Sequence, residues 1–418
     1  MKRGISWGKA CETISDVAET ARTVIDNTAE DINHILGNVE DCVRCCGRAI
    51  DDTRLRIIHR QIQYYTKVIE AITRNGLVPA DIIEDIYNLL EGELEGKPQH
   101  KIVHFKNPIS IWDCSDPEFI EIDPETFEMP LNKEAWVFIH GLRYKAMNRD
   151  GSDFEIDKFK KDNAYEFYKF FEEEAKMFDP KGIDYENVNV YFVSYDSEMS
   201  DEDEEKIKVV LEALGIGGPQ FHLILAAIFW REIEKRAKAT GNYIMPFLNK
   251  LSKKNKGRAV THSLGCYVMA HAAQQMNPTA PSFQSWWCMN AALPSDAFTN
   301  TGDFQRAPRI AGVWDPDRDP NREPDTPPTV IIGTTVWYSV SDLVLMLLYP
   351  LANFHPAIGQ TGIGIVAQSA EMWVSDVDVT LATGINHRAE DYFKPLGPSI
   401  RALLNTLDNP SDICPSKE

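Results

Sequence analysis

The sequence predicts an α/β fold, a mostly parallel β-sheet with helices on both faces, preceded by an all-α N-terminal region. Three observations carry this. From Trp136 onward, short apolar runs rich in Val, Phe and Trp recur, each of strand length. Between them lie stretches with helical spacing, such as Asp157 to Phe178, Phe221 to Ala239 and Leu264 to Gln275. Before about residue 96 only the helical period is present. Strands alternating with helices argue for a parallel sheet covered on both sides, with functional groups in loops at the carboxyl ends of the strands.

At the N-terminus, Ile14, Val17, Ala21, Val24, Ile35, Val39 and Val43 form an apolar stripe spaced mainly by threes and fours, and Asn75 with Gly76 is a strong helix stop. Residues 1–96 are therefore expected to be a helical region. It reads as a bundle packed on the rest of the chain, or as a module that binds a partner protein or approaches a membrane. Residues 97–132 are irregular and Pro-studded, the expected junction, and 133–418 form the α/β domain. In that domain Trp136 to Ile139, Val188 to Ser194, Phe283 to Asn290 and Thr335 to Val340 are the expected strands.

The balance of 43 Lys+Arg against 63 Asp+Glu leaves a net charge of -20, which opposes phosphate backbones and argues against nucleic acid as a partner. Anionic membrane surfaces repel such a chain as a whole, so peripheral membrane contact would need a local apolar patch. No secretory signal is read at the start, where charged residues interrupt the about 7 to 15 apolar positions it needs. The apolar runs Phe221 to Trp230 and Leu343 to Leu351 are shorter than the roughly 20 residues of a membrane span. A cytoplasmic protein is expected, with signal-independent secretion as the other route. Eight scattered cysteines do not make a disulfide scaffold. Cys42, Cys45 and Cys46 look like half a zinc site without its second half. The run from Asp315 to Asp325 imitates a calcium loop but has no glycine at the sixth position and Thr326 in place of the closing Glu; it reads as an insertion. Asp196 to Glu205 reads as a solvated acidic loop.

The chemically informative segment is Gly257 to Ala273, GRAVTHSLGCYVMAHAA, in which a β-prone piece leads through Ser263 directly into a helix. A serine at such a corner is pushed out above the sheet, and the N–H of Leu264, at the helix start, is available to an oxyanion. The simpler reading of Ser263 is a helix N-cap.

This strand, nucleophile, helix turn resembles the elbow of the α/β-hydrolase superfamily of serine esterases and lipases, G-x-S-x-G, with Thr261 in place of the first glycine. A β-branched residue at that point is expected to strain the turn or widen the gap between strand and helix. The family order of nucleophile, acid and histidine implies Asp342, at the end of Thr334 to Asp342 (TTVWYSVSD), and His387, in Val379 to Phe393 (VTLATGINHRAEDYF). Asp376 and Asp378 are rivals for the acid and His355 for the base; His140 and His262 are expected to pack locally. Trp136 to Arg143 (WVFIHGLR) is similar to the family's strand ending in His-Gly, which implies a second oxyanion donor at the N–H of Leu142.

The resemblance implies a serine hydrolase that cleaves a carboxylic ester with Ser263, His387 and Asp342 as its triad. It implies no cofactor and no metal. It also implies an ester substrate, most naturally a lipid, because Phe221 to Trp230 and Leu343 to Pro356 could form a lid or acyl groove as readily as core. An extra helical segment on a signal-less lipase suggests a bacterial lipase effector or toxin, its helices binding a cognate protein. The alternative is a catalytically silent α/β-hydrolase scaffold used for binding, toward which Thr261 points.

Overall fold

The computed structural model of the chain describes residues 108–397 other than 116–118, 131–132, 143, 145, 147–163, 179, 181, 199–206, 208–218, 252–256, 277–281, 315–329, 354, 364–373, 385 and 395–396. The expected N-terminal helices, the cluster Cys42, Cys45 and Cys46, the insertion after Asp315 and most of the acidic run after Asp196 lie outside the described residues.

In chain order the described elements are β1 (Ser110–Asp113), β2 (Ile120–Ile122), β3 (Glu134–Ile139), α1 (Ala164–Phe178), β4 (Val188–Ser194), α2 (Pro219–Leu251), β5 (Gly257–His262), α3 (Leu264–Met276), β6 (Ser285–Met289), β7 (Gly312–Trp314), β8 (Val330–Ile332), β9 (Thr334–Tyr338), α4 (Leu343–Asn353), α5 (Ile358–Thr361), β10 (Val374–Asp378) and α6 (Thr380–Thr383). Eight strands form one sheet in the order β10-β9-β6-β5-β3-β4-β1-β2, and β7 with β8 make a separate antiparallel pair. From β4 to β10 every pairing is parallel; only β1, against β4 and β2, is antiparallel. The mostly parallel sheet with flanking helices read from the sequence is the one observed; the all-α region expected before it lies outside the described residues.

Two strands fall inside the segment read as an irregular junction. β1 and β2 have only four and three residues, too few for a period-2 pattern to emerge among the prolines, yet β1 adds to the main sheet through Ile111 and Trp112. The sheet therefore begins before residue 133. β10 escaped notice because Val374, Ser375, Asp376, Val377 and Asp378 form an edge strand with no fully buried residue.

Alternation along the strands separates two packed layers. Trp136 and Phe138 of β3 point to one side, where Phe171 of α1 lies 5.9 Å and 4.9 Å from their rings; Trp287 of β6 and Phe393 join the same cluster. On β4, Phe192 belongs to that side, whereas its neighbour Tyr191 meets Phe247 of α2 at 5.2 Å on the other. Each such buried aromatic contributes roughly 1.5 to 3 kcal/mol relative to exposure. The two apolar stretches considered as lid or groove are largely core. Leu225, Ala227, Ile228, Phe229 and Trp230 are buried, and Trp230 packs edge-on against Tyr349 of α4 while Arg231 Nε donates to the Ala352 carbonyl.

The register aligns the strand ends that matter. One transverse row runs Val193, Ile139, Thr261, Cys288, Val336, Asp376 from β4 to β10. The residues that follow β3, β5, β6 and β9 consequently emerge on one edge of the sheet.

Thr261 sits in the tight space between β5 and α3 without the expected misfit. Its hydroxyl accepts from Trp286 Nε1 at 2.8 Å and lies 3.1 Å from the Trp287 carbonyl, so the polar end of a fully buried tryptophan is satisfied by Thr261. The close approach is borne by Gly265 instead, where a Cβ would come within 2.2 Å of the Ile139 carbonyl oxygen. Thr261→Gly is expected to destabilise the protein by about 1 to 3 kcal/mol through the unpaired Trp286 N–H alone, read as a lower urea midpoint at unchanged m.

Candidate active site

Ser263 occupies the corner between β5 and α3 with φ of 53°, a left-handed backbone uncommon for a residue with a side chain. The corner is held from below: Ser263 N–H donates to the Met289 carbonyl at 2.9 Å, and its own carbonyl accepts from Cys266 and Ala292. Its hydroxyl does not cap the helix; it faces His387 Nε2 at 2.8 Å. Gly141, after β3, passes directly over this corner, and a Cβ there would lie 2.6 Å from Ser263 Cβ.

His387 follows α6 and the turn at Gly384, whose carbonyl accepts the Ser339 hydroxyl at 3.0 Å. Its Nδ1 lies 2.8 Å from Oδ2 of Asp342. With Nδ1–H donated to the carboxylate, Nε2 is left as an acceptor for the Ser263 proton. Asp342, fully buried at the start of α4, accepts the Leu345 N–H on Oδ1 at 2.9 Å. The structure thus brings Ser263, His387 and Asp342 into one hydrogen-bonded row.

The rivals are engaged elsewhere. Asp376 Oδ2 accepts the Ile363 N–H at 3.2 Å, and Asp378 Oδ1 accepts the Thr380 N–H at the start of α6. His355 is half-exposed, with Nδ1 3.0 Å from the Pro356 carbonyl and Nε2 3.7 Å from Asp296. His262 packs among Phe167, Tyr392 and His387, and burial first, then the neighbouring His387, holds its pKa well below the usual histidine value.

Leu264 opens α3, so its N–H has no intrahelical acceptor. Leu142 lies buried in the loop after β3. Both N–H groups are carried by backbone flanking Ser263.

Sequence reasoning missed Asn290. It follows β6, has φ of 50°, is fully buried, and its amide donates to Asp342 Oδ2 beside His387 Nδ1. A lone Asn after an apolar strand carries no signal of such a contact; only the transverse register places it next to the carboxylate. Among the described residues no cluster of three or more His, Cys, Asp or Glu is arranged to hold a metal, and no helix is long and apolar enough to cross a membrane.

His140 ends β3 and is fully buried, stacked on Tyr195 at 4.4 Å. Burial lowers its pKa from 6.5 to about 4. The unfolded chain takes up a proton between those values that the native chain refuses, so stability is full above the unfolded pKa and falls as the pH drops toward the folded one. His140 accounts for about 2 kcal/mol of lost stability between pH 7.5 and pH 5, and His262 acts in the same direction. Urea unfolding at the two pH values is expected to show this loss, and His140→Phe is expected to reduce it.

No protein-family model matches the chain, and no curated protein matches it. Among solved structures it is similar to LpqC, a poly(3-hydroxybutyrate) depolymerase from Bordetella parapertussis, at 11% identity and a TM-score of 0.30 over 66% of this chain and 86% of that one. It is also similar to an arylesterase at 9% identity and a TM-score of 0.27 over 82% and 98%.

Proposed function

We propose that the chain is a serine hydrolase that cleaves a carboxylic ester through an acyl-enzyme. The observation that carries this is the row Ser263 Oγ, His387 Nε2, His387 Nδ1, Asp342 Oδ2, with both hydrogen bonds at 2.8 Å and the serine on a left-handed corner. Serine is a poor nucleophile until a base takes its proton. In the proposed reaction Ser263 Oγ bonds to the ester carbonyl carbon as its proton passes to His387 Nε2. The carbonyl π electrons move onto oxygen, and the N–H groups of Leu142 and Leu264 receive that oxyanion. Each such donor lowers the barrier by roughly 2.7 to 4 kcal/mol. Collapse breaks the bond to the alkoxy oxygen, which leaves as the alcohol with the proton from His387. Water then attacks the acyl-enzyme by the same route and releases the acid. Asp342 keeps the imidazole in its tautomer and stabilises its cation; the Asn290 amide helps to fix the carboxylate.

Within this reading the substrate is a lipid ester. The support is the part of α4 that the core does not use: the helix starts directly after Asp342, and its Val344, Leu348 and Leu351 are only partly buried. The effector reading, with residues 1–96 binding a cognate protein, is kept as its extension and is tested by copurification of a partner that is lost when those residues are deleted.

A fluorophosphonate probe applied to the purified protein is expected to label the wild type, and labelling should vanish in Ser263→Ala and slow by a factor on the order of 10^4 in His387→Ala. A folded wild type that stays unlabelled with and without detergent would overturn the proposal. In a series of p-nitrophenyl esters from acetate to palmitate, kcat/KM rising with chain length is expected for a lipid ester; a maximum at acetate would remove the lipid assignment and leave the esterase.

A further inference from the structure

We infer that Ser197, in the loop after β4, is a positioning residue that aims the oxyanion donor of the proposed hydrolase; the inference rests on that reading. Ser197 is fully buried and clamps the loop that follows β3. Its N–H donates to the Tyr144 carbonyl at 3.0 Å, and its hydroxyl oxygen accepts the Tyr144 N–H at 3.0 Å. With the Tyr144 carbonyl served by a backbone N–H, the hydroxyl proton is free for its shortest partner, the Gly141 carbonyl at 2.6 Å.

That carbonyl is half of a single peptide unit whose other half is the N–H of Leu142. In a trans peptide the two point in opposite directions, so a donor that pins the oxygen also fixes where the N–H points. His140 supports the same oxygen: its Nδ1 lies 2.9 Å from the Gly141 carbonyl, while its Nε2 lies 3.4 Å from the Tyr195 N–H. This pattern suits a neutral ring with the proton on Nδ1. Two donors, Ser197 Oγ–H and His140 Nδ1–H, therefore occupy both lone pairs of one carbonyl. The N–H of Leu142 is turned away from them and has no hydrogen-bond partner among the described residues. Gly141, against Ser263 Cβ, ties this peptide to the nucleophile. Neither Ser197 nor Tyr144 belongs to any recognisable motif, and 53 residues separate them in sequence.

The test compares wild type, Ser197→Ala and Ser197→Cys, the last nearly isosteric with a weaker donor, for kcat and KM on a p-nitrophenyl ester and for inhibition by phenylboronic acid, which forms a tetrahedral adduct with an activated serine. Ser197→Ala is expected to lower kcat by about 10-fold or more with KM nearly unchanged. The boronate affinity should weaken by the same factor, and Ser197→Cys should fall between. A role limited to stability would lower the melting temperature and leave the boronate affinity of the folded fraction intact. Wild-type kcat and boronate affinity in either folded variant would overturn the role of Ser197 while leaving the hydrolase standing. A wild type that neither hydrolyses esters nor reacts with fluorophosphonate would overturn both.

Discussion

At the corner between β5 and α3, three backbones converge within van der Waals distance, and the described site is built around that convergence. Ser263 turns the chain through a left-handed conformation. The helix it opens can lie so close to β3 only because Gly265 has no side chain to strike the Ile139 carbonyl. The loop after β3 then crosses above the serine at Gly141, again with no room for a Cβ. Strain at one residue is tolerated because the bonds from Ser263 N–H to Met289 and from Ala292 and Cys266 to the Ser263 carbonyl over-determine its position. The hydroxyl is left in a single place, within reach of the imidazole.

Around that corner the fold supplies rigid neighbours more than chemistry. Asp342 is buried with N–H donors on both of its oxygens, from Leu345, His387 and Asn290, so the carboxylate that orients the histidine has little freedom to rotate. A buried acceptor with its lone pairs satisfied costs little, and the same group with one donor removed costs the full desolvation of what remains. His387 is reached from a short helix whose turn is tied by Ser339, which precedes the acid by three residues. Asp342 and His387 are thus anchored to each other, and His387 to Ser263.

The same economy explains Thr261. Trp286 from the neighbouring strand presents an indole N–H in a fully buried position. The threonine hydroxyl answers it. The threonine is therefore one local packing solution, beside a serine on a left-handed corner and a Gly265 that bears the close approach.

Much of the architecture was legible in the chain because period and punctuation are local properties. Val188 to Ser194 could only be a buried strand, and a β-prone run entering a helix through T-H-S-L-G had to be a sharp turn with the serine at its corner. What stayed hidden depended on neighbours far apart in sequence. β1 and β2 are too short to show a pattern and exist because β4 offers an unpaired edge. The choice of His387 over His355, and of Asp342 over Asp376, rests on sheet register, which a single sequence only suggests through the order of a family it resembles. Asn290 and Ser197 carry no motif at all; one is read from a transverse row across six parallel strands, the other from a loop closing on a loop. Residue types and turn chemistry are written locally, whereas the aim of a peptide N–H or a carboxylate is set by packing between strands that meet only after the sheet has formed.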